Sequence, residues 1–143
     1  MSQNDQVKAK DLMTIPVYVA RHHMSVEQVM EMLIDNGISG APVVDVNNRV
    51  ISVVTEFDLM KLCASGMARK MMSDVLDSLP SQVELKTVDK SSSFVHIFKM
   101  FQQYRIRRIL VVDSTGRLQG IISRRDVIRL FLDDLRFKKS HIA

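Results

Sequence analysis

The stretch Ile38-Ser39-Gly40-Ala41-Pro42-Val43-Val44-Asp45, a turn at Val46-Asn47-Asn48, and then Val50-Ile51-Ser52-Val53-Val54-Thr55-Glu56-Phe57-Asp58 decide the fold, because the chain writes this pattern twice. A shift of 68 residues lays 25–62 on 93–130 without a gap. Identities fall at Ser25/Ser93, Met32/Met100, Ile38/Ile106, Val43/Val111, Val44/Val112, Asp45/Asp113, Arg49/Arg117, Asp58/Asp126 and Leu62/Leu130, and Thr55 falls on Ser123. Most apolar positions match along the window. Register and residue class are kept together, which is the mark of duplication.

Working outward, each copy predicts the same elements. Val26, Val29, Met30, Leu33 and Ile34 lie three and four apart, as do Phe94, Ile97, Phe98 and Phe101, so each copy opens with an amphipathic helix. Ser25 and Ser93 suit its N-cap, and Gly37 suits the end of the first one. Short apolar strands follow at 41–44 and 109–112, then turns at 45–48 and 113–116, then strands at 50–54 and 118–122. A second helix begins at Thr55 or Ser123. A further strand precedes each copy, near 17–19 and 85–88. The order is β-α-β-β-α, twice: an α/β (α+β) fold. One copy of about 55 residues buries too little surface alone, so the two are expected to pack through their sheets into one pseudo-twofold module. The expected division is 7–65 for the first unit, 66–79 for a connector whose Met67, Met71 and Met72 plug the core, 80–136 for the second unit and 137–143 for a polar, basic tail.

Composition narrows the function. The chain has 143 residues, 46% of them hydrophobic, and no apolar run of the roughly 20 residues that would cross a bilayer. The start, Met1-Ser2-Gln3-Asn4-Asp5-Gln6, has no signal-peptide core, so a cytoplasmic location with no membrane association is expected. Cys63 is the single cysteine, so no internal disulfide or multi-cysteine metal site can form; it reads as a core-facing helix residue. His22, His23, His96 and His141 lack metal-ligand spacing, with His22-His23 in an exposed turn. No Gly-rich phosphate loop, nucleophile elbow or convincing acid–base pair is present, so an enzyme is not expected.

The one feature with chemistry is hydroxyl-x-x-Asp at each strand-to-helix junction: Thr55-Glu56-Phe57-Asp58 and Ser123-Arg124-Arg125-Asp126. The plain reading is a helix cap, in which hydroxyl and carboxylate satisfy orphan backbone N–H groups. The functional reading uses the same place. Helix N-termini attract phosphate, and a carboxylate on the first turn can accept two bonds from a ribose diol. The pattern alone leaves both readings open.

Taken in order, the helix, Ile38–Asp45, the turn, Val50–Val54 and Thr55-x-x-Asp58 resemble a CBS domain, and Ile106–Asp113, the turn, Leu118–Ile122 and Ser123-x-x-Asp126 resemble a second. Asp11-Leu12-Met13-Thr14 looks like the lead-in before the first strand. The resemblance covers roughly residues 7–135. It implies a tandem pair, or Bateman module, with two clefts that take adenosine-containing ligands: AMP, ADP, ATP or S-adenosylmethionine, without a metal. It implies that the Asp meets ribose, the hydroxyl meets phosphate and apolar residues flank adenine. The first site would then use Thr55 and Asp58, with Thr14, Ile15, Gly40 and Ala41 along its walls. The second would use Ser123 and Asp126, with Val83, Arg108 and Ile109. Ser52 stands where the second copy keeps Gly120, and Leu110 replaces the proline kept at Pro42. The lead-in Leu79–Leu85 fits poorly. The resemblance also implies a flat homodimer.

The copies differ in charge. Residues 105–130 carry Arg105, Arg107, Arg108, Arg117, Arg124, Arg125 and Arg129 against Asp113 and Asp126. The equivalent 37–62 has Arg49 and Lys61 against Asp45, Glu56 and Asp58. Guanidinium groups favour an anionic ligand, so the second site, with Arg107, Arg108, Arg124 and Arg125, is expected to bind the nucleotide and the first to bind it weakly. The expected function is a non-catalytic regulatory module that signals to an effector protein. The alternatives are a nucleic-acid binder using the arginine cluster, disfavoured by six Phe, two Tyr and no Trp, and a ligand-free scaffold or dimerisation module.

Overall fold

A computed structural model describes residues 6–79 and 85–142. In chain order its elements are α1 (Ala9–Leu12), β1 (Ala20–Arg21), α2 (Val26–Asp35), β2 (Gly40–Val44), β3 (Val50–Thr55), α3 (Glu56–Ala64), two short 3-10 turns (Met72–Asp74 and Leu76–Ser78), β4 (Thr87–Val88), α4 (Phe94–Gln103), β5 (Arg108–Val112), β6 (Leu118–Ser123) and α5 (Arg124–Ile142). There are two three-stranded sheets, ordered β1-β2-β3 and β4-β5-β6. In each, the short leading strand runs parallel to the next: Ala20 pairs with Val43, and Thr87 with Leu110. The α/β duplication read from the sequence is therefore present. The leading strands begin later than 17–19 and 85–88 suggested.

Local chemistry explains the element ends. Ser25 caps α2 by accepting from Gln28 N–H, and the Gln28 side chain accepts from Ser25 N–H in return. That reciprocal pair satisfies two orphan donors. The helix ends with Gly37 at φ +61°, and Ile38 N–H donates to Leu33 O at 3.0 Å, a bond that needs this left-handed residue. The hairpin turns put Asn48 (φ 64°) and Gly116 (φ 85°) at equivalent positions.

The compact units do not follow the chain order. One comprises Val17–Leu85 with Thr115–Leu118; the other comprises Met1–Pro16, as far as it is described, with Lys86–Ser114 and Gln119–Ala143. We call them the first and second units, after the copy each is built on. In the first, Ala20, Val26, Val29, Leu33, Val43, Val54, Leu59, Leu62 and Met72 form the core. The tip of the second hairpin belongs here too: Val50 N–H donates to Gly116 O and Leu118 N–H to Asn48 O, both at 3.0 Å. Met72 is fully buried, as a plug should be, and Met67 is half-buried, but Met71 lies exposed. Cys63 is half-buried, its Sγ donating to Met30 Sδ at 3.2 Å. Both histidines lie in a turn after β1; His23 is exposed, whereas His22 is half-buried.

In the second unit Ala9 and Leu12 of α1 pack with Val88, Phe94, Ile97, Ile109, Val111, Ile122 and Val127. Backbone bonds fasten the N-terminal segment: Ala9 N–H to Ser92 O (2.8 Å), Phe94 N–H to Val7 O (3.0 Å) and Thr14 N–H to Ile121 O (2.8 Å). Residues 7–16, which precede the first copy in sequence, thus cluster with the second. The stretch expected as a tail from 137 continues α5, which runs on to Ile142. Phe131 sets its edge against Phe94 and Phe98, with centroids 5.7 and 6.2 Å apart, and Lys138 pairs with Asp134 one turn back at 3.3 Å. Aromatic packing and an i,i+4 ion pair carry the helix past the point where composition turns polar.

Candidate functional site

Both hydroxyl-x-x-Asp motifs sit where the sequence places them, at the end of a strand and the start of a helix. Each first builds a cap. In the first unit Thr55 N–H donates to Asp58 Oδ2 (2.9 Å), Thr55 Oγ1 donates to the same oxygen (2.8 Å), and Asp58 N–H donates to Thr55 Oγ1 (3.3 Å). In the second, Ser123 N–H and Oγ donate to Asp126 Oδ2 at 2.7 and 3.0 Å, and Asp126 N–H donates to Ser123 Oγ at 3.3 Å. The cap and the ligand reading are thus compatible, because capping engages one carboxylate oxygen and leaves the other to the surroundings.

In Asp126 the other oxygen is engaged as well. Asp126 Oδ1 accepts from Thr14 Oγ1 at 3.1 Å and from Arg129 Nη1 at 3.3 Å, and Asp126 is only 6% exposed. Asp58 Oδ1 has no hydrogen-bond donor among the described residues, and Asp58 is half-buried. Lys61, which occupies the place of Arg129 in the repeat, lies over the Phe57 ring at 5.0 Å instead. Arg129 was counted in the sequence only as part of a cluster. Its spacing of three from Asp126 was the available signal.

Thr14 and Ile15 were expected on the walls of the first site. The structure places Thr14 on Asp126, in the second unit, and Ile15 follows it with 62% of its surface exposed. Gly120 explains this placement. A Cβ there would stand 2.5, 2.8 and 2.9 Å from Met13 Sδ, Cγ and Cβ, so only glycine admits the segment this close.

Gly40 is the antiparallel partner of Thr55 and so lies at the mouth of the first junction. Ala41 and Ile109 are fully buried core residues. Val83 lies outside the described residues. Arg107 and Arg125 are exposed. Arg124 donates from Nε to Ile106 O at 3.2 Å, which fastens it at the junction. Arg108 is half-buried, and burial, with the charge of Arg107, pulls its guanidinium pKa below the usual value. The junction thus joins a buried carboxylate at the start of a helix to Arg129, bonded to it, and Arg124, fastened to Ile106 O. Among the described residues no group of three or more His, Cys, Asp or Glu is placed to hold a metal ion, and no helix is long and apolar enough to cross a membrane.

The chain is similar to known proteins along most of its length. The CBS-domain family profile matches residues 9–65 and 69–133, most of the chain. The CBS domain-containing protein CBSX1, chloroplastic, of Arabidopsis thaliana is 28% identical over 145 residues, covering 81% of this chain and 59% of its own length. The 5'-AMP-activated protein kinase subunit gamma of Saccharomyces cerevisiae is 26% identical over 108 residues, covering 73% of this chain and 34% of its own. The chain therefore spans less than two thirds of the length of either relative. Among solved structures, that of CBSX2 of Arabidopsis thaliana in complex with AMP superposes with a TM-score of 0.74 at 26% identity, covering 88% of this chain and 96% of that one.

Proposed function

The chain belongs to the CBS-domain family, as a tandem pair, and from that premise we propose that it is a non-catalytic sensor taking an adenine nucleotide of the AMP, ADP and ATP class at the Ser123–Asp126 junction of its second unit. The observation that carries this reading is the setting of Asp126: a carboxylate 6% exposed, at the start of a long helix, with Arg107, Arg108, Arg124 and Arg125 in the flanking segments. The first turn of α5 presents backbone N–H groups without intrahelical partners, and these suit a phosphate. Guanidinium groups add bonds to its oxygens. Asp126 accepts the ribose diol, and the exposed side chain of Ile15 offers apolar surface to the base. The CBSX2–AMP complex supports the ligand class by likeness. At the first junction Glu56 stands where Arg124 stands in the second, and its charge opposes a phosphate, so binding there is weaker. The bound state is read by another chain, a second copy or an effector protein.

Calorimetric titration of the full chain with AMP, ADP, ATP and S-adenosylmethionine tests this. The expected result is saturable binding of the nucleotides, with S-adenosylmethionine weaker because it lacks a phosphate. A nucleotide at one hundred times its Kd should stabilise the fold by about 2.7 kcal/mol in thermal unfolding. No heat and no stabilisation across the panel would overturn the sensor reading in favour of a ligand-free scaffold.

A further inference from the structure

We propose that Thr14 is a latch on the nucleotide site: its hydroxyl holds the Asp126 oxygen that the ribose requires, so binding has to displace it. The inference rests on the assignment of the ligand to Ser123 and Asp126. An ionised carboxylate offers about four acceptor positions, and Asp126 has four donors. Ser123 N–H and Oγ occupy Oδ2 at 2.7 and 3.0 Å; Thr14 Oγ1 and Arg129 Nη1 occupy Oδ1 at 3.1 and 3.3 Å. A ribose diol needs two of these positions.

The bonds that give way are those to Oδ1. They are the longer pair, and their donors are an exposed threonine and an arginine side chain that is 59% exposed. The Oδ2 pair is part of the cap that starts α5 and lies under it. Arg129 can turn to water, or to the phosphate, without moving the backbone. Thr14 cannot leave so simply. It is paired with Ile121, through Thr14 N–H to Ile121 O (2.8 Å) and a longer Ile121 N–H to Thr14 O (3.3 Å), and Met13 lies against Gly120. Displacing the Thr14 hydroxyl therefore loosens residues 13–16, and occupancy becomes a change in a segment of chain that a partner can read.

The test is AMP titration of the wild type, Thr14→Val, which keeps the shape and loses the hydroxyl, and Thr14→Ser, which keeps it. Removing a competing hydrogen bond of ordinary net strength should make Thr14→Val bind AMP about three- to tenfold more tightly, with Thr14→Ser at the wild-type value. Thr14→Val binding AMP as weakly as the wild type, or more weakly, would overturn the latch while leaving the ligand assignment standing. Absence of AMP binding in all three proteins would overturn the ligand assignment, and the latch with it.

Discussion

Asp126→Ala should weaken AMP binding about tenfold or more, whereas Asp58→Ala should leave it within about twofold of the wild type, since one hydrogen bond to a charged group contributes about 1.5–3 kcal/mol and 1.4 kcal/mol is tenfold. The asymmetry comes from the two surroundings. Both aspartates cap a helix through Oδ2. Asp126 is 6% exposed, with arginines before β5 and at the start of α5, whereas Asp58 is half-buried and follows Glu56. Alanine at 126 also leaves Ser123 N–H without its acceptor, and losing such a cap costs about 1 kcal/mol, so thermal unfolding must accompany the titration. Asp126→Asn separates the effects. It keeps the volume and one acceptor oxygen but loses the charge, so it should remain folded and still bind poorly. Equal losses at 58 and 126 would show that the arginines do not select the second junction.

Gly120→Val should destabilise the protein by about 1–3 kcal/mol, the usual cost of overpacking a filled site. The new Cβ would meet Met13 at 2.5–2.9 Å, and one of the atoms it meets is the Met13 Cβ, which cannot swing aside as the sulfur can. Met13 N–H is bonded to Ala9 O (2.9 Å) and Thr14 N–H to Ile121 O (2.8 Å), so the segment has to lift as a piece, taking the Thr14 hydroxyl off Asp126. Chemical denaturation of Gly120→Ala, Met13→Ala and the double variant gives the coupling. Because the two positions touch, the double variant should be more stable than the sum of the single effects predicts. Strict additivity would mean that Met13 does not hold the segment down.

Those two residues also mark how far sequence reading reaches. The duplication, the helix faces of Val26–Ile34 and Phe94–Phe101, the caps at Ser25, Ser93, Thr55 and Ser123 and the turn at Gly37 were legible, because each depends on neighbours within a few positions. Where 6–16 docks was not. Its own residues give it a short helix, Ala9–Leu12, and say nothing of which sheet edge admits Met13. Gly120 against Ser52 was visible as a difference between the copies, but a glycine in a strand announces a close approach without naming what approaches. The same limit hid Thr14 from its real partner, 112 residues away. The tail misled for a different reason: composition after Asp133 is polar, and only the Phe131 contacts with Phe94 and Phe98 show why the helix continues.

Backbone amide resonances of the isotope-labelled full chain, followed during AMP titration, locate the ligand. Binding at the Asp126 junction predicts the largest shifts at Thr14, Ile15, Arg107, Arg108 and the first turn of α5 from Ser123 to Asp126, with Thr55 to Asp58 nearly still. Shifts concentrated at Thr55 to Asp58, with Ser123 to Asp126 unmoved, would contradict it.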